Sequence, residues 1–369
     1  MCSFGCEHGT PGACAGERSP PSQAKAYATK PGTASRQAAY EAAAGCEPAP
    51  PKGQSPGHFR GVRHIGTLKI MNIAISGASG FIGRRLMRAL ANGNHTLRVL
   101  SRHAGTNLPP GVQLYVWDAM KSQPPEESLE GVDAVVHLAG EPIAQRWNED
   151  VKQKIRESRA TGTRNLVQAL STARQRPAVL VCGSAIGYYG SRGDEVLTEA
   201  SAAGSGFMAD VCVAWEKEAD LAESLGIRLV KLRTGVVLGA NGGALGKMLP
   251  PFKAGMGGKM GHGDQWMSWV HLDDLVGIIQ HVLDNPVRGA VNGTSPNPVT
   301  NADFTKALGH SLSRPAVVPM PAFTLKFMFG EMSDVMLASQ RVLPKAAEAA
   351  GYTFRYPGLE PALANILAA

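Results

Sequence analysis

The sequence predicts the α/β class, with a doubly wound parallel sheet and a smaller C-terminal lobe. Two observations carry that prediction. Short apolar runs alternate with segments of helical spacing from Met71 to about residue 240. The first apolar run also ends in a glycine-rich turn that opens a helix. Continuous apolar strands suit a sheet covered on both faces, as parallel sheets are. Right-handed crossovers then wind the helices onto both sides.

The elements follow in order. Residues 73–76 form a first strand ending at Gly77, and 81–91 have helical spacing. Strands are expected at 97–101, 112–117 and 134–138. Residues 149–173 read as a long amphipathic helix, 178–182 as a buried strand, 207–225 as a helix and 227–232 as the next strand. Beyond residue 240 the pattern loosens into glycine-rich loops, with helices at 273–283, 301–312 and 322–330. The implied domains are a dinucleotide-binding unit at 71–240 and a substrate lobe with a helical end at 241–369. No internal repeat is visible.

Residues 1–70 are expected to be a disordered tail outside the fold. The first 60 residues contain no Ile, Leu or Val, but eight Pro and eight Gly. Such a segment has too little apolar surface to offset the entropy of ordering. It lacks the apolar core of a secretory signal. An organelle transit segment and sequence upstream of a true start at Met71 both remain open. Cys2, Cys6, Cys14 and Cys46 lie in this tail without a zinc-like spacing, so no metal site is expected. Cys182 and Cys212 form no obvious pair. A reducing compartment fits this cysteine usage, either the cytoplasm or, with a transit segment, an organelle interior.

Net charge is +7, shared between the tail and the rest. No dense basic stripe marks a nucleic-acid footprint, and 6% aromatics argue against base-stacking platforms. No apolar run approaches the ~18 residues of a membrane span. The expected partner is a small molecule, and a homodimer stays open.

The strongest local signal is Ser76-Gly77-Ala78-Ser79-Gly80-Phe81-Ile82-Gly83, a G-x-x-G-x-x-G run between strand and helix. Gly77 permits the tight turn, Gly80 lets backbone approach a pyrophosphate, and Gly83 lets the helix pack on the strand. The helix N-terminus presents unpaired N–H groups to phosphate, so Ser79, Phe81 and Ile82 are assigned to the same site. The second strand ends in Ser101-Arg102, not in the Asp or Glu that would take a ribose 2′-hydroxyl. Arg102 can fork onto a 2′-phosphate with Ser101 as a neutral donor, so the expected cofactor is NADP(H). Asp118, after the third strand, can accept from an adenine amino group. Leu138, Ala139 and Gly140 after the fourth let backbone lie along the cofactor.

Further stretches carry a family resemblance. They include Leu138-Ala139-Gly140-Glu141-Pro142-Ile143, Gly183-Ser184-Ala185-Ile186-Gly187-Tyr188-Tyr189-Gly190, Leu232-Arg233-Thr234-Gly235, Met267-Ser268-Trp269-Val270-His271 and Gln340-Arg341-Val342-Leu343-Pro344. From residue 71 to about 367 the chain resembles the extended short-chain dehydrogenases/reductases of the NAD-dependent epimerase/dehydratase superfamily. The closer likeness is to an atypical "epimerase family" branch with a C-terminal domain of unknown function.

The resemblance implies a catalytic Ser/Thr at Ser184 and nicotinamide contacts at Arg233 and Gly235. It also implies a Tyr-x3-Lys pair, which occurs nowhere in this chain. Met208 and Cys212 stand at those positions. Tyr188 and Tyr189, on the loop after Ser184, are the candidate substitutes. Glu141 and Glu216 are further acid/base candidates, and His271 and Asp273 suit a structural role. In the lobe, Met267 stands where an Arg would bind a sugar diphosphate. The flanking Trp266, Trp269, Met256 and Met260 suit a smaller or more apolar substrate. Two readings follow: an oxidoreductase or epimerase-like enzyme on a small carbonyl or alcohol, and a non-catalytic NADP(H)-binding sensor or scaffold.

Overall fold

The computed structural model describes residues 70–104, 108–240 and 242–368. The tail expectations, including those on its four cysteines, lie outside the described residues. The seven-stranded sheet contains β1 (Asn72–Ser76), β2 (Thr96–Ser101), β3 (Gln113–Val116), β4 (Ala134–His137) and β5 (Val179–Ala185). After a short β6 (Val196–Leu197), β7 (Arg228–Thr234) returns to the sheet. Further on come β8 (Val236–Leu238), β9 (Trp266–Met267), β10 (Trp269–His271) and β11 (Gly289–Gly293). Across the sheet the order is β3-β2-β1-β4-β5-β7-β11, and every pairing is parallel. The strand order reverses between β1 and β4, where doubly wound sheets bind their ligands.

The apolar runs bury both faces by simple alternation. Ile73, Ile75, Val136, Val181, Val230 and Leu232 point to one core, together with α1 (Phe81–Asn92). Ala74, Val135, Leu180, Cys182 and Leu229 point to the other. There they meet α2 (Glu149–Thr172) and α3 (Phe207–Ser224). Asn148 caps α2 by accepting from Val151 N–H at 2.8 Å, and Glu149 and Asp150 favour the positive end of the helix.

After α4 (Gly243–Lys253), α5 (Leu272–Asp284) adds Leu275, Ile278, Ile279 and Val282 to the α1 face. His271 Nδ1 caps α5 by accepting from Asp273 N–H at 3.0 Å. Asp273 pairs with Arg85 of α1 at 2.7 Å. Both residues are therefore structural, as read from the sequence. Since α5 and β11 come from beyond residue 240, the C-terminal part supplies the sheet as well as the lobe.

The lobe has its own core around Trp269, Phe304 and Leu363, built with α6 (Asn301–Ser311). Trp269 is thus a core residue, not a pocket wall. The remaining elements are β12 (Val299–Thr300), α7 (Ala322–Phe329), α8 (Met332–Leu337), β13 (Arg341–Val342), α9 (Lys345–Ala349) and α10 (Leu359–Ala368). Strand β13 pairs with β6, and Ser268 Oγ both accepts from Val342 N–H and donates to Gln340 O, at 2.7 Å each. The C-terminal segment is thereby tied to the loops above the sheet.

Candidate functional site

A cleft opens at the carboxyl ends of β1, β2, β3 and β4. Gly77, Ser79 and Gly80 line one part, Ser101 and Arg102 another, Asp118 a third, and Leu138, Ala139 and Gly140 the floor beside β4. These are nine of the cofactor positions read from the sequence, and the fold brings them together. Trp117, Met120, Glu141, Pro142 and Ser158 join them. Ser158 was not foreseen, because it reaches the cleft from α2. Its hydroxyl accepts from Glu141 N–H at 2.9 Å.

The glycine loop is fixed by contact. Gly77 has φ +75, and a Cβ there would lie 2.7 Å from the Leu138 carbonyl carbon. A Cβ on Gly83 would lie 2.2 Å from Gly77 O. No side chain caps α1, so its first N–H groups face the cleft ready for an anion. We expect Gly83→Ala to displace the loop, destabilise the fold by at least about 1–3 kcal/mol as overpacking does, and abolish measurable dinucleotide binding. Denaturant melts and calorimetric titration check this; a variant that binds like the wild type would exclude the loop as the phosphate site.

Three assigned residues of the same turn do not line the cleft. Gly83 packs helix on strand, while Phe81 fills space beside Gly239, Gly242 and Gly243. Ile82 packs against the α1-side core. The α1 helix has turned them away from the loop.

Arg102 stands at the mouth with its side chain 53% exposed, and the nearest carboxylate, Glu141, lies 4.0 Å away. An exposed pair at that distance contributes little and is easily exchanged for a phosphate. Among the described residues no group of three or more His, Cys, Asp or Glu is arranged to hold a metal.

At the ends of β5 and β7 lies a second cluster, buried and fully engaged. Arg233 forks onto Glu216 with two contacts of 2.8 Å, and Ser184 Oγ donates to the same carboxylate at 2.7 Å. Tyr189 Oη accepts from Arg233 at 3.0 Å and donates to Asn292 Oδ1 at 2.7 Å. Burial works against the Arg233 charge, but the Glu216 carboxylate overcomes it and raises its pKa. These bonds bear on three expectations. Arg233 gives its three nitrogens to Glu216 and Tyr189. The Ser184 hydrogen is committed to Glu216, and Tyr189 is sealed in the interior. Gly235 is also a packing residue, since a Cβ there would lie 2.4 Å from Ser268 O. Tyr188 differs: it is half-buried, its ring lies 3.5 Å from the Arg233 guanidinium, and its hydroxyl has no hydrogen-bond partner among the described residues.

Met208 and Cys212 sit beneath this loop, where a Cβ on Gly187 would touch both. Burial pushes the Cys212 thiol up to about 11 and Cys182 up to about 12, so both stay protonated at neutral pH.

His137, at the end of β4, is completely buried. Ser76 Oγ accepts from Ala139 N–H at 3.3 Å and shares a hydrogen bond with His137 Nδ1 at 2.6 Å. Burial lowers the His137 pKa from 6.5 to about 4. The unfolded chain therefore takes up this proton near pH 6.5 while the folded chain refuses it until about 4. Stability from this group is complete above pH 6.5 and is lost as pH falls toward 4. Relative to His137→Gln, the wild type should lose about 2–3 kcal/mol between pH 7 and about 4.5. Urea melts at the two pH values measure it; parallel losses would contradict the assignment.

Residues 73–295 match the NAD dependent epimerase/dehydratase family. The chain belongs to that family. Residues 320–366 match a domain of unknown function, DUF1731. Among relatives of this epimerase/dehydratase chain, the Arabidopsis thaliana epimerase family protein SDR39U1 homolog, chloroplastic, is 41% identical over 307 residues, covering 80% of this chain and 87% of that protein. The Bacillus subtilis epimerase family protein YfhF is 37% identical over 300 residues, covering 81% and 98%. The crystal structure of human epimerase family protein SDR39U1 with NADPH is similar with a TM-score of 0.72 at 35% identity, covering 81% of this chain and 99% of that one. Among the described residues, no helix of this family member is long and apolar enough to cross a membrane.

Proposed function

We propose that the protein binds NADP(H) in the cleft and uses it as an oxidoreductase or epimerase-like enzyme on a small carbonyl or alcohol substrate. One observation carries the cofactor choice: Ser101 and Arg102 end β2 at the cleft mouth, where an acid would repel a 2′-phosphate. The NADPH in the human relative's structure supports it. The reaction proceeds without a Tyr-x3-Lys pair, and Tyr188 is the hydroxyl left to donate a proton. The setting is a reducing compartment, the cytoplasm or an organelle like that of the chloroplastic relative.

A second reading, a non-catalytic NADP(H)-binding protein, is favoured by the commitment of Ser184 and Tyr189 to the buried cluster. Single-turnover oxidation of bound NADPH by a panel of aldehydes, ketones and 2-oxo acids separates the two. The enzyme reading expects turnover that Tyr188→Phe slows by ~10²-fold at unchanged NADPH affinity. No turnover with any carbonyl would establish the second reading.

A further inference from the structure

Arg159, on α2, is a buried cation without an anion. It is 7% exposed, and among the described residues no carboxylate lies within 4.0 Å of it. Among the described residues its one side-chain hydrogen bond runs from Nη1 to Ile155 O at 3.1 Å, one turn back on its own helix. The guanidinium is held from two sides. The Trp215 ring lies 5.2 Å from it. On the other side is Gly140, where a Cβ would meet Arg159 Cζ at 3.2 Å and both terminal nitrogens within 3.4 Å. Gly140 itself lines the cleft, so its missing side chain leaves the room in which the guanidinium reaches that wall.

A buried charge without a counter-charge costs several kcal/mol, so folded proteins pair such groups. The neighbours here do not supply the pair. Cys212 is a protonated thiol at neutral pH, because burial pushes it up to about 11. Glu141 favours the Arg159 charge only from beyond 4.0 Å, while it accepts from Gln145 Nε2 at 3.3 Å and faces Arg102 at 4.0 Å. No Arg159 nitrogen is both sealed from solvent and without a partner, so the donors not bonded to Ile155 keep some contact with solvent. Gly77, Ser79 and Gly80 form the turn between β1 and α1, whereas Arg159 packs on Gly140, three residues after β4.

We propose that the Arg159 guanidinium is the docking point for a carboxylate of the substrate, bound at the inner end of the cleft beyond Gly140. The inference rests on the cofactor reading above and narrows its substrate class to small carbonyl or hydroxy compounds that carry a carboxylate. A planar guanidinium with several free N–H groups takes a carboxylate by two parallel bonds, which fixes the orientation of a small molecule. It also accounts for the absence of a charged residue at Met267: the anion is met at the sheet and not in the lobe.

The test uses the full chain, NADPH and oxalate as the carboxylate probe. Calorimetric titration should show oxalate binding to the NADPH-loaded wild type. Binding should weaken about tenfold or more in Arg159→Met, the loss of a charge-assisted contact, and less in Arg159→Lys, which keeps the charge. NADPH affinity should stay within about threefold in both variants. Oxalate should also raise the melting temperature of the NADPH-loaded wild type above that in chloride of equal ionic strength, a reading that needs no variant. No stabilisation of the wild type by oxalate, or equal oxalate affinity in Arg159→Met, would overturn the proposal while leaving the cofactor reading intact. A parallel loss of NADPH affinity would overturn it too, by assigning the anion to the cofactor. Failure of NADPH to bind the wild type would instead strike the cofactor reading itself.

Discussion

Glu216→Gln is expected to destabilise the fold by about 3 kcal/mol, the low end for leaving a buried charge without its partner. Arg233 is 4% exposed and sends two of its three nitrogens to this one carboxylate. The amide keeps an acceptor for Ser184 but removes the negative charge. Lys231 sits 3.8 Å from Glu216, so the loss also releases a weaker, partly exposed pair. Replacing both members, Glu216→Gln with Arg233→Met, should cost clearly less than the two single losses added together, because neither charge is then stranded. Urea melts of the four proteins make the cycle. Additive costs, or a Glu216→Gln loss under about 1 kcal/mol, would mean that the pair does not hold these strand ends. The consequence is local as well as global. Tyr189 and Tyr188 both rest on Arg233, so the loop between β5 and β6 should loosen first.

Arg102→Ala should weaken NADPH binding by ~1.5–3 kcal/mol, the value of a charge-assisted contact, and leave NADH nearly unchanged. Among the described residues the exposed guanidinium has only Glu141 at 4.0 Å to give up, so little is lost in the free protein. The stability of the fold should move by less than about 0.5 kcal/mol, as for other surface changes. Equal losses for both cofactors would show that Arg102 binds a group common to them.

The inner strands β1, β4 and β5 were legible in the sequence because each is a short run buried on both sides, whereas the edge strand β3 has no buried residue. Val135 and Val136 serve opposite cores, as do Leu180 and Val181. The glycine turn was equally plain, since Gly77 and Gly83 stand where any Cβ would strike backbone. β5 runs three residues past the read boundary because Gly183, Ser184 and Ala185 continue the ladder with β7. No apolar pattern marks those residues. The short pairs of the lobe also escaped, since two- and three-residue strands have no period to read.

The inner cluster was legible in its members and not in its bonds. Ser184, Glu216, Arg233 and Tyr189 are all polar residues that a site-seeking reading collects. Only the fold shows that they satisfy one another. Arg159 is the converse case. It lies in the amphipathic run 149–173 with no site role assigned to it, and it takes the packing of Trp215 and Gly140 to reveal a cation inside.

If this cleft holds a dinucleotide carrying a 2′-phosphate, calorimetric titration of NADPH and NADH into the wild-type protein shows NADPH binding at least about tenfold tighter, a difference of about 1.4 kcal/mol or more. NADH binding as tightly as NADPH, or neither binding at all, would contradict that reading.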